Sequence, residues 1–263
     1  MPDSAGSAKK QLSERALREL RAWILSGDLP PDQTVSETAA ADLIGISRTP
    51  TREAMAELVD EGLLERTPTG RWLVRRVTRA DIVDAIEFRG VLEGTVVRLA
   101  AERGPAAEPL ERCREINARL DNVVGSDAAT IEFERYAALN EAFHDHLARI
   151  SGSATMEREV RRAYRLPLAA PSAFLQSQMN IPEVRRSLIV SQRQHNDIID
   201  AVVHREGARA EALAREHARL ARTNLDYVIF DNKNLAKKIP GLGVIANESG
   251  RRDRGKSHQG RTQ

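Results

Sequence analysis

Three of the six histidines fall where an imidazole sits among apolar neighbours and has to find a partner. His195 lies seven residues after Leu188 and four before Ile199, and His217 lies four after Leu213 and three before Leu220. His144 lies four after Asn140 and three before Leu147. Spacings of three, four and seven put each ring on the inward face of a separate helix. Neutral imidazoles converging from separate helices are a way to hold a divalent transition metal such as zinc through one ring nitrogen each. The competing reading of any one of them is a hydrogen-bonded core residue. His146 shares an apolar stripe with Leu139, Phe143 and Ile150, so periodicity does not choose between His144 and His146.

The run Asn140-Glu141-Ala142-Phe143-His144 stands one residue away from the H-E-x-x-H pattern of zinc peptidases, with the first histidine missing. Asn is a poor zinc ligand in a hydrolytic site, and neither a glycine-rich phosphate loop nor a nucleophile elbow is present. The expectation is therefore a protein that is not an enzyme, with a metal-dependent enzyme fused to a DNA-binding part as the alternative.

A second constellation is built on arginine. Arg48 and Arg52 lie four apart at the start of a helix in which Thr51, Ala54, Met55, Leu58 and Gly62 form the inward face. Ser47 or Thr49 can cap that helix, and Pro50 is tolerated in its first turn. A shorter helix precedes it, capped by Ser36, running through Ala39, Ala40, Leu43 and Ile44, and stopped by Gly45. Helix, glycine turn and arginine-led helix are what major-groove reading requires, because an arginine fork matches the two acceptors of guanine. A helical hairpin with solvated arginines has the same spacing.

The remaining elements position these two sets. Residues 1–10 are small and polar and read as disordered; Leu12 to Ser26 reads as a helix ended by Gly27 and Pro30-Pro31. Leu63 to Arg66 and Arg71 to Val74 are short runs around Thr67-Pro68-Thr69-Gly70, a hairpin that would carry Arg71 to a minor groove or a phosphate. Three helices and a hairpin make a winged helix over residues 11–78. From Arg79 the period is helical: a first long helix through Ile82, Ile86, Leu92, Val96 and Leu99, then Leu110 to Val124, Ile131 to Ile150, Met156 to Leu166, Pro182 to about His204, and Ala208 to about Phe230. The expected fold is mainly α, a winged helix-turn-helix followed by an all-α bundle over 79–235, with a basic, disordered tail at 236–263.

Charge limits how DNA is held. Residues 1–78 carry 11 Lys and Arg against 12 Asp and Glu, a net of −1; residues 79–235 carry 22 against 24, a net of −2; residues 236–263 carry 7 against 2, a net of +5. A slightly acidic DNA-reading part must work through a few placed arginines rather than a broad basic field. The single cysteine, Cys113, excludes an intrachain disulfide and a thiolate zinc cluster, and no apolar run reaches the ~20 residues that span a bilayer. The N-terminus lacks the apolar core of a signal peptide, and the expectation is a soluble, cytoplasmic protein without a membrane partner.

From Leu20 to Val74 the chain resembles the winged-helix domain of GntR-family bacterial transcription regulators. The resemblance is carried by Gly27-Asp28-Leu29, Leu43-Ile44-Gly45-Ile46-Ser47-Arg48-Thr49-Pro50, Arg52-Glu53-Ala54, Glu61-Gly62-Leu63 and Gly70. The second part is similar to the effector-binding FCD domain of the FadR subgroup, through Glu87-Phe88-Arg89, Glu93, Ala100-Ala101, Phe143-His144, Gln194-His195, Ile198 and His217. The resemblance implies a homodimer on double-stranded operator DNA, and an all-α domain that takes a small metabolite, usually a carboxylic acid. It also implies a divalent metal on Asn140, His144, His195 and His217, which selects His144 over His146. Asn140 departs from the family's usual Asp, and an amide oxygen is a weaker, neutral donor. Thr51 replaces a branched apolar residue and brings a hydroxyl that needs a partner, and Thr38 stands where some members place an arginine. The reading that follows is a repressor in which Arg48, Arg52, Thr49, Ser47 and Arg71 face DNA. Arg89 is the second contact for an effector carboxylate, against the alternative of an ion pair with Glu93 one turn on. A ligand-independent DNA-binding protein is the remaining alternative.

Overall fold

The structure, a computed structural model, describes residues 4–172 and 181–227. The chain separates between Arg79 and Ala80 into two compact units.

The first unit contains α1 (Ser4–Ser26), β1 (Thr34–Val35), α2 (Glu37–Ile44), α3 (Arg48–Asp60), β2 (Leu64–Arg66) and β3 (Trp72–Val74). Ser36 caps α2 by accepting from the Ala39 N–H at 3.1 Å, and Gly45 ends it at φ 69°, where a Cβ would be strained. Leu20 and Ile24 of α1, Ala40 and Ile44 of α2, Met55 and Leu58 of α3, and Trp72 and Val74 of β3 close one core. Thr51 is fully buried there, and its hydroxyl donates to the Ser47 carbonyl at 3.0 Å, the partner its side chain requires.

Two features of this unit depart from the expectation. The helix α1 begins at Ser4 rather than Leu12, which corrects the expected disorder of residues 1–10 over 4–10. Ala5, Ala8, Lys9 and Lys10 are strong helix formers whatever their polarity, and Lys9 Nζ meets Glu53 Oε1 of α3 at 2.6 Å. The wing is a three-stranded antiparallel sheet in the order β1-β3-β2, because the two-residue β1 pairs Thr34 with Leu73 and Val35 with Trp72. At the hairpin tip Thr67 N–H donates to the Arg71 carbonyl at 2.8 Å.

The second unit holds α4 (Arg79–Arg103), α5 (Ala107–Val124), α6 (Phe133–Leu147), α7 (Ala154–Tyr164), α8 (Pro182–Val203) and α9 (Gly207–Asp226), with a 3-10 turn at Ala128–Thr130. Val96, Leu120, Tyr136, Phe143, Ile150 and Ile198 form its core. Gly90 lets α9 lie close against α4, since a Cβ there would stand 2.9 Å from Ala218 Cβ. Phe230 and the tail at 236–263 lie outside the described residues. Among the described residues no helix is long and apolar enough to cross a membrane.

Candidate functional site

The close packing of α4 and α9 sets His217 of α9 beside His144 of α6 and His195 of α8. His217 Nε2 lies 3.1 Å from His195 Nε2 and 3.2 Å from His144 Nε2, and all three rings are buried. The opposite nitrogen of each ring meets an oxygen: His144 Nδ1 and Glu93 Oε1 at 2.9 Å, His195 Nδ1 and Gln192 Oε1 at 3.0 Å, His217 Nδ1 and Gln194 Oε1 at 3.2 Å. Phe143 packs its ring 4.2 Å from that of His195 and limits how His195 can turn.

This donor set fits a metal ion. Glu93 is fully buried; burial alone would raise its carboxyl, but His144 and the Arg89 guanidinium outweigh that and hold it at about 2. A carboxylate only accepts, so His144 donates from Nδ1, and in its neutral form its Nε2 carries a lone pair. A ring that met both neighbours through one Nε2–H could give its single proton to only one of them. With all three rings neutral, at least one close nitrogen pair therefore has no hydrogen between its lone pairs, a repulsion that a cation relieves. On two of the rings a proton does not fill the role: burial, reinforced by His144, pushes His217 down to about 3, and burial with the neighbouring His217 and His144 pushes His195 well down.

Two of the three rings, those of His144 and His217, stand at the edge of a pocket of about 490 Å³, counting the space open to solvent at its mouth. Arg89, Asn140, Ser191 and Asn224 line it with His144 and His217. Asn140 is buried one turn before His144; its Nδ2 donates to Ser172 Oγ at 3.2 Å, and among the described residues its Oδ1 takes only a long 3.5 Å contact from Tyr136 Oη. Arg89 is buried, with Nη1 donating to the Ala169 carbonyl at 2.8 Å and Nη2 to the Ala218 carbonyl at 3.4 Å. Its Nε is 3.6 Å from Glu93 Oε2, too long for a hydrogen bond, and has no partner among the described residues. His146 stays outside the cluster. Glu141, which a hydrolytic site would need, is exposed.

In the first unit Ser47, Arg48, Thr49, Arg52 and Arg71 are all exposed. Ser47 occupies the cap position of α3 with its side chain free of any capping bond, and among the described residues Arg48 makes one loose ion-pair contact, 3.8 Å to Glu37. Behind this surface Arg21 of α1 grips Glu61, at the end of α3, with two parallel hydrogen bonds, one of 2.8 Å. Glu61 is 1 % exposed, so the pair clamps the arginine-bearing helix to its support.

The same two regions match known families. The sequence pattern of the bacterial regulatory proteins of the gntR family matches residues 12–74, and that of the FCD domain matches residues 84–220. An HTH-type transcriptional regulator from an unstable DNA locus of Streptomyces ambofaciens is 31% identical over 212 residues, 76% of this chain and 79% of its own. The chain belongs to the gntR family. The Glc operon transcriptional activator of Escherichia coli K12 is 24% identical to this regulator over 253 residues, 89% of this chain and 96% of its own. The solved structure of Escherichia coli McbR/YncC shares the fold with a TM-score of 0.54 at 18% identity, over 82% of this chain and 96% of that one. This protein is thus a DNA-binding transcription regulator with an FCD effector-binding domain.

Sequence reasoning did not give the regulator's outer ring of orienting groups. Gln194 appeared only as a point of family resemblance, Glu93 as that and as an ion-pair partner of Arg89, and Gln192, Tyr164 and Asp121 not at all. Tyr164 Oη donates to Glu93 Oε1 at 2.6 Å, so the carboxylate that holds His144 is itself held. The one usable signal was a polar residue at an inward position, as Gln192 is three before His195.

Proposed function

We propose that the regulator is a repressor that binds operator DNA as a homodimer and is released by a small organic acid. Its metal is held by His144, His195 and His217, with the Asn140 amide oxygen assisting. The observation that carries this reading is the convergence of three ring nitrogens, two of whose rings line one pocket with Arg89, whose Nε–H has no hydrogen-bond partner among the described residues. A bound divalent transition metal would supply a Lewis-acid anchor for one carboxylate oxygen. Arg89 would donate to the other oxygen, and Ser191 and Asn224 would meet further polar groups of the acid. Arg48, Thr49 and Arg52 of α3, with its cap residue Ser47, face the major groove or its phosphates, and Arg71 of the wing the adjacent groove. A dimer doubles these contacts, which compensates for a unit without net positive charge. Release follows if the acid prefers one of two dimer arrangements. Binding DNA places the protein in the cytoplasm.

The test is a thermal-shift screen of organic acids on metal-loaded protein, followed by operator binding with each hit. An acid that stabilises the protein and lowers operator affinity supports the reading. An acid that binds and leaves operator affinity unchanged refutes the control mechanism, and equal, negligible metal in wild type and His217→Ala refutes the metal.

A further inference from the structure

The three Nδ1 contacts differ in what they dictate. Glu93 is a carboxylate and forces an N–H on His144. Gln192 and Gln194 are amides, which can present either an oxygen or an NH2 group, so each orients its histidine only if something orients the amide first. No fixed acceptor beside Gln194 is found among the described residues. Gln192 is different. It is buried, and its Nε2 lies 2.9 Å from Asp121 Oδ1 and 3.3 Å from the Asn117 backbone carbonyl, both of α5. Both partners only accept. The NH2 end of Gln192 must therefore face α5, its Oε1 must face His195 Nδ1, and His195 must carry its proton on Nδ1.

The carboxylate is held in turn. Asn196 Nδ2 donates to Asp121 Oδ1 at 3.0 Å, and Asn117 Nδ2 donates to Asn196 Oδ1 at 3.1 Å, so four side chains from α5 and α8 close a ring at the rim of the unit. Asp121 and Asn196 are exposed, whereas His195 at the far end is wholly buried.

We propose that Gln192 is the positioning residue for His195, and that Asp121, on the surface, fixes the direction of the Gln192 amide. Together they keep the Nε2 lone pair of His195 turned toward His144 and His217. His144 and His195 are then committed to ligation by their surroundings, and His217, next to Gln194, is the one ring whose tautomer its partner leaves open. The proposal rests on the reading of the three histidines as a metal site. Loss of an outer partner of a ligating histidine typically costs 10–100-fold in metal affinity.

The experiment uses the full chain and two variants. Gln192→Met keeps the length and removes both ends of the amide; Asp121→Asn keeps the shape and removes the fixed polarity, leaving the Asn117 carbonyl to orient Gln192 in part. Zinc affinity is measured by competition with a chelator. The tautomer of His195 in metal-free protein is read from two-bond 1H–15N spectra, assigned by the signals missing in His195→Gln. The expected result is an Nδ1–H ring in wild type, a mixed tautomer with zinc binding weakened about 10–100-fold in Gln192→Met, and a smaller loss in the same direction in Asp121→Asn. Wild-type tautomer and zinc affinity in Gln192→Met overturn the proposal. If that variant does not fold, an undisturbed tautomer in the exposed Asp121→Asn overturns it instead. Wild-type protein that takes up no zinc overturns the metal reading alone, because the ring tautomer of metal-free protein still decides the relay.

Discussion

The two units keep their functional side chains in opposite states. In the winged helix, Arg48, Arg52 and Arg71 stand in solvent, almost without ion-pair partners, on a helix end and a hairpin that are rigidly backed. In the helical unit, His144, His195, His217, Asn140 and Arg89 are buried, and each is tied to at least one further polar group. A surface that reads DNA must leave its donors free for the partner, and water satisfies them meanwhile. A buried site has no water to fall back on, so every group needs a neighbour, and those that lack one are the places where the proposed ligands would bind. Here those are the facing Nε2 atoms and the Arg89 Nε–H.

The largest expected effect tests the buried side of this contrast. His217→Ala should abolish stoichiometric metal, measured by elemental analysis of protein purified without a histidine tag, and leave operator affinity without effector within about twofold. Unchanged metal content would remove His217 from the site.

Next is pH. His217 is held at about 3 and His195 is also pushed down, against about 6.5 for an unfolded histidine. Folding therefore excludes protons below pH 6.5, and this contribution is complete above that value and lost as pH falls through it. Metal-free protein should lose up to ~1.4 kcal/mol of stability per pH unit for each of His195 and His217 as pH falls below about 6.5, and His217→Ala should show a shallower slope in thermal melts. An identical slope would mean that the ring is not buried neutral.

On the exposed side, Arg21→Ala should cost ~3 kcal/mol of stability in the winged-helix unit, because it leaves the buried Glu61 carboxylate unpaired. Chemical denaturation checks this, and metal content should not move. Arg52→Ala should weaken operator binding by ~1–3 kcal/mol and relax preference at one base pair without loss of stability; wild-type affinity by fluorescence anisotropy would end that assignment. The smallest effect is that of Ser36→Ala, which removes the cap bond to Ala39 and should cost ~1 kcal/mol.

What could be read from the sequence follows the same division. The Ser36 cap, the Gly45 stop, the hairpin around Gly70 and the inward histidine faces are local patterns of a few residues, and all of these appear in the structure. The strand β1 was not legible because two residues have no period, and the start of α1 because polar helix formers resemble disordered chain. In the helical unit the period placed each histidine on its face, but the partners lie far apart in sequence: Glu93 and His144 by 51 residues, Gln192 and Asp121 by 71. Only tertiary packing brings them together. Arg89 shows the cost of treating local alternatives as exclusive. It stands 3.6 Å from Glu93, as the i,i+4 spacing suggested, and it also lines the pocket.

The central claim is that the buried site governs the exposed one. It is tested most directly by titrating operator DNA with metal-loaded and metal-stripped protein by fluorescence anisotropy, each with and without a stabilising organic acid. The account predicts that the acid lowers operator affinity of the metal-loaded protein by about 5–150-fold and has no effect once the metal is removed. Equal operator affinity with and without acid, in metal-loaded protein to which the acid is bound, would contradict it.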